Sequence, residues 1–271
     1  MRADFGRLVS WHAAGGSNFF RRYSNEIIQS HKWCFIVGCN NSGTSLLQTL
    51  LEQTGHVSTF ASEGQFYTRT LARAERRGKE RVWTEYLADL EMQRSESLDR
   101  LPRLVHDWMR EFDVPIKTII LEKTPANAVR MEWLQKAFPR SYFIGLVRNG
   151  YAVAEGIRRK GFKSLDRGAR HWALVNEIML QRANNVERFL EIRYEDLVNN
   201  YAESLDRLMG FIDISQSVNG KHNVSEITIR EDHRVLKDFN AESIARLDEK
   251  DKQIIYRNAE TMLRHFGYAS D

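Results

Sequence analysis

The segment running Cys34-Phe-Ile-Val-Gly-Cys-Asn-Asn-Ser-Gly-Thr-Ser-Leu-Leu constrains the fold more than any other part of the chain. An apolar run stops at Gly38, a short polar loop follows, and Leu46, Leu47, Leu50 and Leu51 then recur at helical spacing from Thr44 to Gln53. Strand, small-residue loop and amphipathic helix in that order aim backbone N–H groups and a helix N-terminus at one point, which suits a phosphate or a related oxyanion. The alternative for the same residues is an ordinary strand-to-helix turn with Ser42 or Thr44 as the helix cap.

The rest of the chain repeats the alternation. Apolar β-rich runs at 33–38, 56–60, 118–121, 141–147 and 189–193 are separated by helical stripes, including 44–53, 176–186 and 248–266. That pattern predicts an α/β fold with a central parallel sheet flanked by helices in three layers. With 42% hydrophobic residues among 271, no low-complexity tract and no Pro/Ser-rich linker, one domain over 31–271 is expected, with residues 1–30 as an extension packed on it or a mobile arm. Residues 64–112 are charged and helical in character, and read as an inserted cap whose Arg73, Arg76 and Arg77 form a solvated face or touch substrate. His106 within it reads as a surface residue.

Charge and cysteine content narrow the classes. The net charge of +4 is spread without a dominant run, so a local basic pocket fits as well as a nucleic-acid surface, and no nucleic-acid motif is recognisable. Two cysteines, Cys34 and Cys39, cannot make a disulfide scaffold, and no apolar run reaches the length of a membrane span or a secretory signal. A cytoplasmic protein is expected. No Cys/His metal spacing and no nucleophile–base triad is evident, so no metal site is assigned.

Gly38 and Gly43 have the spacing of the Walker A pattern G-x-x-x-x-G-K-[ST], but Thr44 stands at its lysine position and Ser45 follows. Without that lysine a triphosphate with its metal loses much of its stabilisation, so a single, less highly charged phosphoryl-type group is the better ligand. A second strand, Tyr142-Phe-Ile-Gly-Leu-Val, ends in Arg148 and enters another helix. An arginine at the carboxyl end of a parallel strand faces the crevice where ligands of open α/β sheets bind, and its planar fork suits phosphate, although a surface ion pair would also place an arginine there.

Together these segments resemble the sulfotransferases that use 3′-phosphoadenosine 5′-phosphosulfate (PAPS). Their 5′-phosphosulfate loop is similar to Gly38 through Leu46, and their 3′-phosphate element is similar to the strand ending at Arg148. Glu122-Lys-Thr-Pro125 looks like a run found in many of them, and Arg193-Tyr-Glu-Asp-Leu197 like a segment after their last strand. The resemblance spans about residues 32–200 and implies a P-loop-like fold with a helical insertion. It also implies transfer of a sulfuryl group from PAPS to a hydroxyl, with an amine as second choice, and release of PAP. Asn40, Asn41, Ser42, Gly43, Thr44, Ser45 and Arg148 are the expected donor-binding residues. Lys123 is the expected cation at the transferring group, unless it is a solvated strand-end lysine. Glu63, after the second strand, is the expected base, as a glutamate is in protein-tyrosine sulfotransferases, unless it only favours a helix dipole.

Two positions depart from the pattern. Asn41 stands where most members carry Lys or Arg, and Gly156 stands eight residues after Arg148 where they carry Ser. A non-catalytic nucleotide-binding protein and a degenerate nucleotide kinase-like enzyme are the rival classes. The acceptor is left open among glycan, lipid, tyrosine peptide and small metabolite, with the charged insertion and residues 222–240 as the expected walls of its pocket.

Overall fold

Strand β1 (Lys32–Gly38) is buried from its second residue onward because it lies at the centre of a five-stranded sheet with neighbours on both edges. The computed structural model describes residues 17–73, 81–93, 95–112, 115–161, 164–214, 226–229 and 232–269. Beside β1 lie β2 (Val57–Thr59), β3 (Ile119–Lys123), β4 (Ser141–Val147) and β5 (Phe189–Arg193), in the order β2-β3-β1-β4-β5, all parallel. The expected strands all appear, within two residues at each end.

The two-residue period of β1 divides the core. Trp33, Phe35 and Val37 point to one face and pack in a cluster with Trp108, Phe138, Phe143 and Trp172. Cys34 and Ile36 point to the other and meet Leu47, Leu50 and Leu51 of α2 (Thr44–Gln53) together with Leu205 and Leu208. Here a central parallel strand reads as a continuous apolar run because helices cover both faces. No described helix is long and apolar enough to cross a membrane.

The chain departs from the sequence reading in several places. Residues Ser17–Ser30 form a helix, α1, which inserts Phe20 and Ile28 into the core. Its stripe of Tyr23, Ser24, Ile27 and Ile28 is half polar, which hides the period in the sequence. The described residues of 64–112 form the expected helical insertion in short pieces. It holds 3-10 turns at Gly64–Phe66 and Trp83–Tyr86, then α3 (Leu87–Leu90) and α4 (Leu101–Met109). Helix α4 lies against α1 and is itself core, with Leu104, Val105 and Trp108 fully buried. His106 is accordingly buried rather than at the surface, edge-on to Phe20 with ring centroids 5.1 Å apart, and burial lowers its pKa. Arg76 and Arg77 lie outside the described residues, and Arg73 stands over the Phe66 ring at 5.8 Å.

After α5 (Met131–Ala137) and β4, α6 (Gly150–Arg159) and α7 (Leu165–Ala183) pack on the aromatic face of the sheet, α7 starting eleven residues before the stripe read from sequence. Helices α8 (Tyr194–Asn199) and α9 (Tyr201–Phe211) cover the other face. Strands β6 (Glu226–Ile229) and β7 (Asp232–Val235) pair antiparallel, and α10 (Asn240–Ile244) and α11 (Glu249–His265) close the chain. Residues 222–225 and 230–231 of the expected acceptor wall lie outside the described residues.

Candidate active site

The carboxyl ends of the five strands stand level along one edge of the sheet, and each carries part of the site. In the registers of the central strands Lys123 of β3 is beside Ile36, Leu146 of β4 beside Gly38, and Arg193 of β5 beside Val147. The successive connections from β1 run first toward β2 and then back across to β4, so the loop after β1 occupies a topological switch point, where open α/β sheets bind ligands.

That loop has the conformation its residues dictate. Gly38 has φ 144°, and a Cβ there would stand 2.6 Å from the Leu146 carbonyl oxygen. Asn41 is left-handed at φ 66°, a region asparagine enters more readily than other side chains. Gly43 (φ 99°) is the N-cap of α2, and no side chain caps the helix. Neither Ser42 nor Thr44 is therefore the cap, and the first amides of a ten-residue helix are left for an outside anion. Within the loop Asn40 Oδ1, Asn41 Nδ2 and Ser42 Oγ are buried with no hydrogen-bond partner. Polar atoms so placed cost free energy unless something else satisfies them.

Arg148 leaves the end of β4 directly against the loop. Its Nη1 donates to the Asn41 carbonyl at 3.0 Å, its Nε donates to Asn240 Oδ1 at 2.8 Å, and its guanidinium lies 4.1 Å from the Tyr194 ring centroid. No carboxylate pairs with it in these contacts, so Arg148 is not the surface ion pair that its sequence position also allowed. Burial lowers its pKa, and a guanidinium still remains charged. The Tyr194 ring also lies against the loop, since a Cβ on Gly43 would meet Tyr194 Cδ2 at 2.8 Å. Glu195 braces the group from behind. Its Oε1 accepts from Asn240 Nδ2 at 2.6 Å and from the Asn149 amide at 3.0 Å, and its Oε2 accepts from the Tyr268 hydroxyl at 2.9 Å. The Arg193-Tyr-Glu run is thus the support of the arginine; Asn240, expected only as the end of an acceptor wall, binds Arg148 and Glu195 instead, and Tyr268, which sequence reasoning missed, carries no local motif.

On the other side of β1 the structure brings Lys123 and Glu63 together. Lys123 is 2% exposed, no solvated strand-end lysine, and its Nζ lies 3.3 Å from Glu63 Oε1. Glu63 Oε2 accepts from Gln65 Nε2 at 2.6 Å. Glu63 follows β2 and precedes only a three-residue 3-10 turn, so it serves no long helix dipole. The turn is clamped on both polar atoms of Gly64: its amide donates to Glu122 Oε1 at 2.7 Å, and its carbonyl accepts from Trp108 Nε1 at 2.9 Å. Asn127 Nδ2 donates to Glu122 Oε2 at 2.5 Å, and the Thr124 hydroxyl donates to Glu122 Oε1. Glu122 is wholly buried, and burial pushes its pKa up to about 7 against the lowering effect of the Thr124 and Gly64 bonds. Sequence reasoning quoted Glu122 only as a letter of a motif, whereas here it is the anchor of the Glu63 loop. Cys34 and Cys39 are buried free thiols whose pKa values burial raises, so neither is a nucleophile.

Residues 34–217, more than half the chain, match the model of the sulfotransferase family. The fold is similar to that of the sulfotransferase domain from the olefin synthase of Synechococcus PCC 7002, at TM-score 0.57 and 17% identity over 89% of this chain and 97% of that one. The sulfotransferase domain from the curacin biosynthetic pathway is similar at TM-score 0.51 and 18% identity, over 89% and 99%. Sulfotransferase STF1 from Mycobacterium tuberculosis H37Rv is similar at TM-score 0.51 and 12% identity, over 89% and 80%. No curated protein sequence matches the chain. With the family pattern covering the loop after β1, the Lys123 strand and the Arg148 strand alike, the chain belongs to the sulfotransferase family.

Proposed function

We propose that this sulfotransferase takes its sulfuryl group from PAPS, passes it to a hydroxyl of its acceptor, with an amine as second choice, and releases PAP. The observation that carries the reading is the loop after β1: an uncapped helix start and three buried, unpartnered polar atoms, with a charged guanidinium on the Asn41 carbonyl. The helix amides, Asn41 Nδ2 and the Ser42 hydroxyl are donors that fit the phosphosulfate end of the nucleotide, and the fork of Arg148 fits a second phosphate. Asn40, Asn41, Ser42, Gly43, Thr44, Ser45 and Arg148 would hold it. PAPS when bound supplies the sulfuryl group and a phosphate leaving group, and the protein supplies alignment, charge and a proton acceptor.

Glu63 takes the acceptor proton as the new sulfur–oxygen bond forms, and the Lys123 ammonium beside it offsets the charge on the phosphate oxygen whose bond to sulfur breaks. Gln65 on one carboxylate oxygen and Lys123 on the other fix the direction in which Glu63 presents itself. The clamp on Gly64 holds that geometry. No metal ion is given a part in this scheme. The buried thiols are in keeping with a cytoplasmic setting.

Calorimetry with PAP in the presence of a chelator tests the donor assignment, with binding expected. Binding of magnesium-ATP alone would overturn it in favour of the kinase-like class. Sulfate transfer from PAPS to a panel of hydroxyl and amine acceptors then separates enzyme from binder, because intact PAPS binding without transfer to any acceptor would favour the non-catalytic class that Asn41 and Gly156 suggest.

A further inference from the structure

The two departures from the family pattern touch each other. Helix α6 leads away from Arg148, and its Gly156 faces the donor loop so closely that an added Cβ would lie 3.6 Å from Asn41 Cβ and Cγ and 3.7 Å from Nδ2. One turn further along, Lys160 caps the carboxyl end of α6 and its Nζ donates to Asn41 Oδ1 at 2.6 Å. Positions four apart on a helix share a face, so Gly156 brings the helix close and Lys160 delivers its charge to the same residue.

An ammonium group only donates, so this bond fixes the orientation of the Asn41 amide and leaves Nδ2 as the end that is buried and unpartnered. Arg148 meanwhile holds the backbone carbonyl of the same residue. A lysine at position 41 would have to adopt φ 66°, which asparagine tolerates better than long side chains do. Asparagine in the loop with a lysine reaching in from α6 places the positive charge there without that strain.

We propose that Lys160 is the donor-site cation of this protein, a residue that contacts the 5′-phosphate end of the nucleotide and replaces the basic residue missing at position 41. The flexible four-carbon stem lets the ammonium move from Asn41 Oδ1 onto a phosphate oxygen while Nδ2 donates beside it. This rests on the PAPS reading above.

The test is calorimetry of PAP and of adenosine 3′-phosphate, which lacks the 5′-phosphate, with the native protein and with Lys160→Gln and Lys160→Arg. Glutamine still donates a hydrogen bond to Asn41 but carries no charge; arginine keeps the charge. PAP affinity is expected to fall about tenfold to a hundredfold in Lys160→Gln, the range of a lost charged hydrogen bond, and to stay within about threefold of native in Lys160→Arg. Adenosine 3′-phosphate should bind all three proteins alike. Native PAP affinity in Lys160→Gln, equal losses for both ligands, or an equal fall in Lys160→Arg would each overturn the role of Lys160 while leaving the donor assignment standing. A native protein that binds neither ligand would instead overturn the donor assignment, and this proposal with it.

Discussion

Replacing glycine by alanine at two positions, Gly156 in α6 and Gly145 in β4, should move stability in opposite directions. Gly156 lies inside α6 with ordinary helical backbone, where glycine costs about 0.5–1 kcal/mol relative to alanine because the unfolded chain has more freedom to lose. The new methyl group would sit 3.6–3.7 Å from Asn41, normal van der Waals contact, so no strain offsets the gain. Gly156→Ala should therefore stabilise the protein by about 0.5–1 kcal/mol, or about 1–2 °C in Tm for a chain of this size. Gly145 in β4 is the counterpart. A Cβ there would stand 2.5 Å from Phe189 Cζ and 2.9 Å from Met179 Sδ, with the sheet fixed behind it. Gly145→Ala should cost about 1–3 kcal/mol through overpacking. Urea titrations followed by tryptophan fluorescence measure both, with m unchanged if only stability shifts. A destabilised Gly156→Ala would mean that α6 does not stand off the loop after β1 at contact distance, and a neutral Gly145→Ala would refute the packing assigned to Gly145 in β4.

Lys123→Ala should lower turnover from PAPS by about a hundredfold to a thousandfold, the loss typical of one charge-stabilising donor, with PAP affinity nearly native; Arg148→Ala should instead weaken PAP binding. Unchanged turnover in Lys123→Ala removes that lysine from the mechanism. Glu122 keeps its proton up to about pH 7 when folded, against 4.5 as its reference value. The native state therefore holds more protons than the unfolded state between those values, and the stability this group contributes is full below about 4.5 and lost as pH rises through 7. Denaturation at pH 5 and pH 8 should show the native protein losing stability relative to Glu122→Gln across that interval. Parallel pH dependences would refute the elevated pKa.

Much of the candidate site was legible because its parts are local. A strand, a glycine and a polar turn before a helix announce a phosphate-type loop from neighbouring residues alone, and the strand ends at Lys123 and Arg148 are marked by where apolar runs stop. The helix α1 and the core role of α4 were not legible. Their faces mix Ser24, Tyr23 and His106 with apolar residues, and only the partner helix shows which side is inward.

The sequence by itself determined the order of the elements and the types of group at the strand ends, since backbone preference and the two-residue and 3.6-residue periods act over short range. Tertiary structure decided what those groups touch. Parallel pairing sets Glu63 against Lys123 from 60 positions away and stacks Arg148 on Tyr194. It makes Glu122 an anchor rather than a motif letter, and it seats Lys160 on the asparagine that replaces the family's cation. Such contacts come from the strand order β2-β3-β1-β4-β5, which brings together loops distant along the chain and is written in no single segment of it.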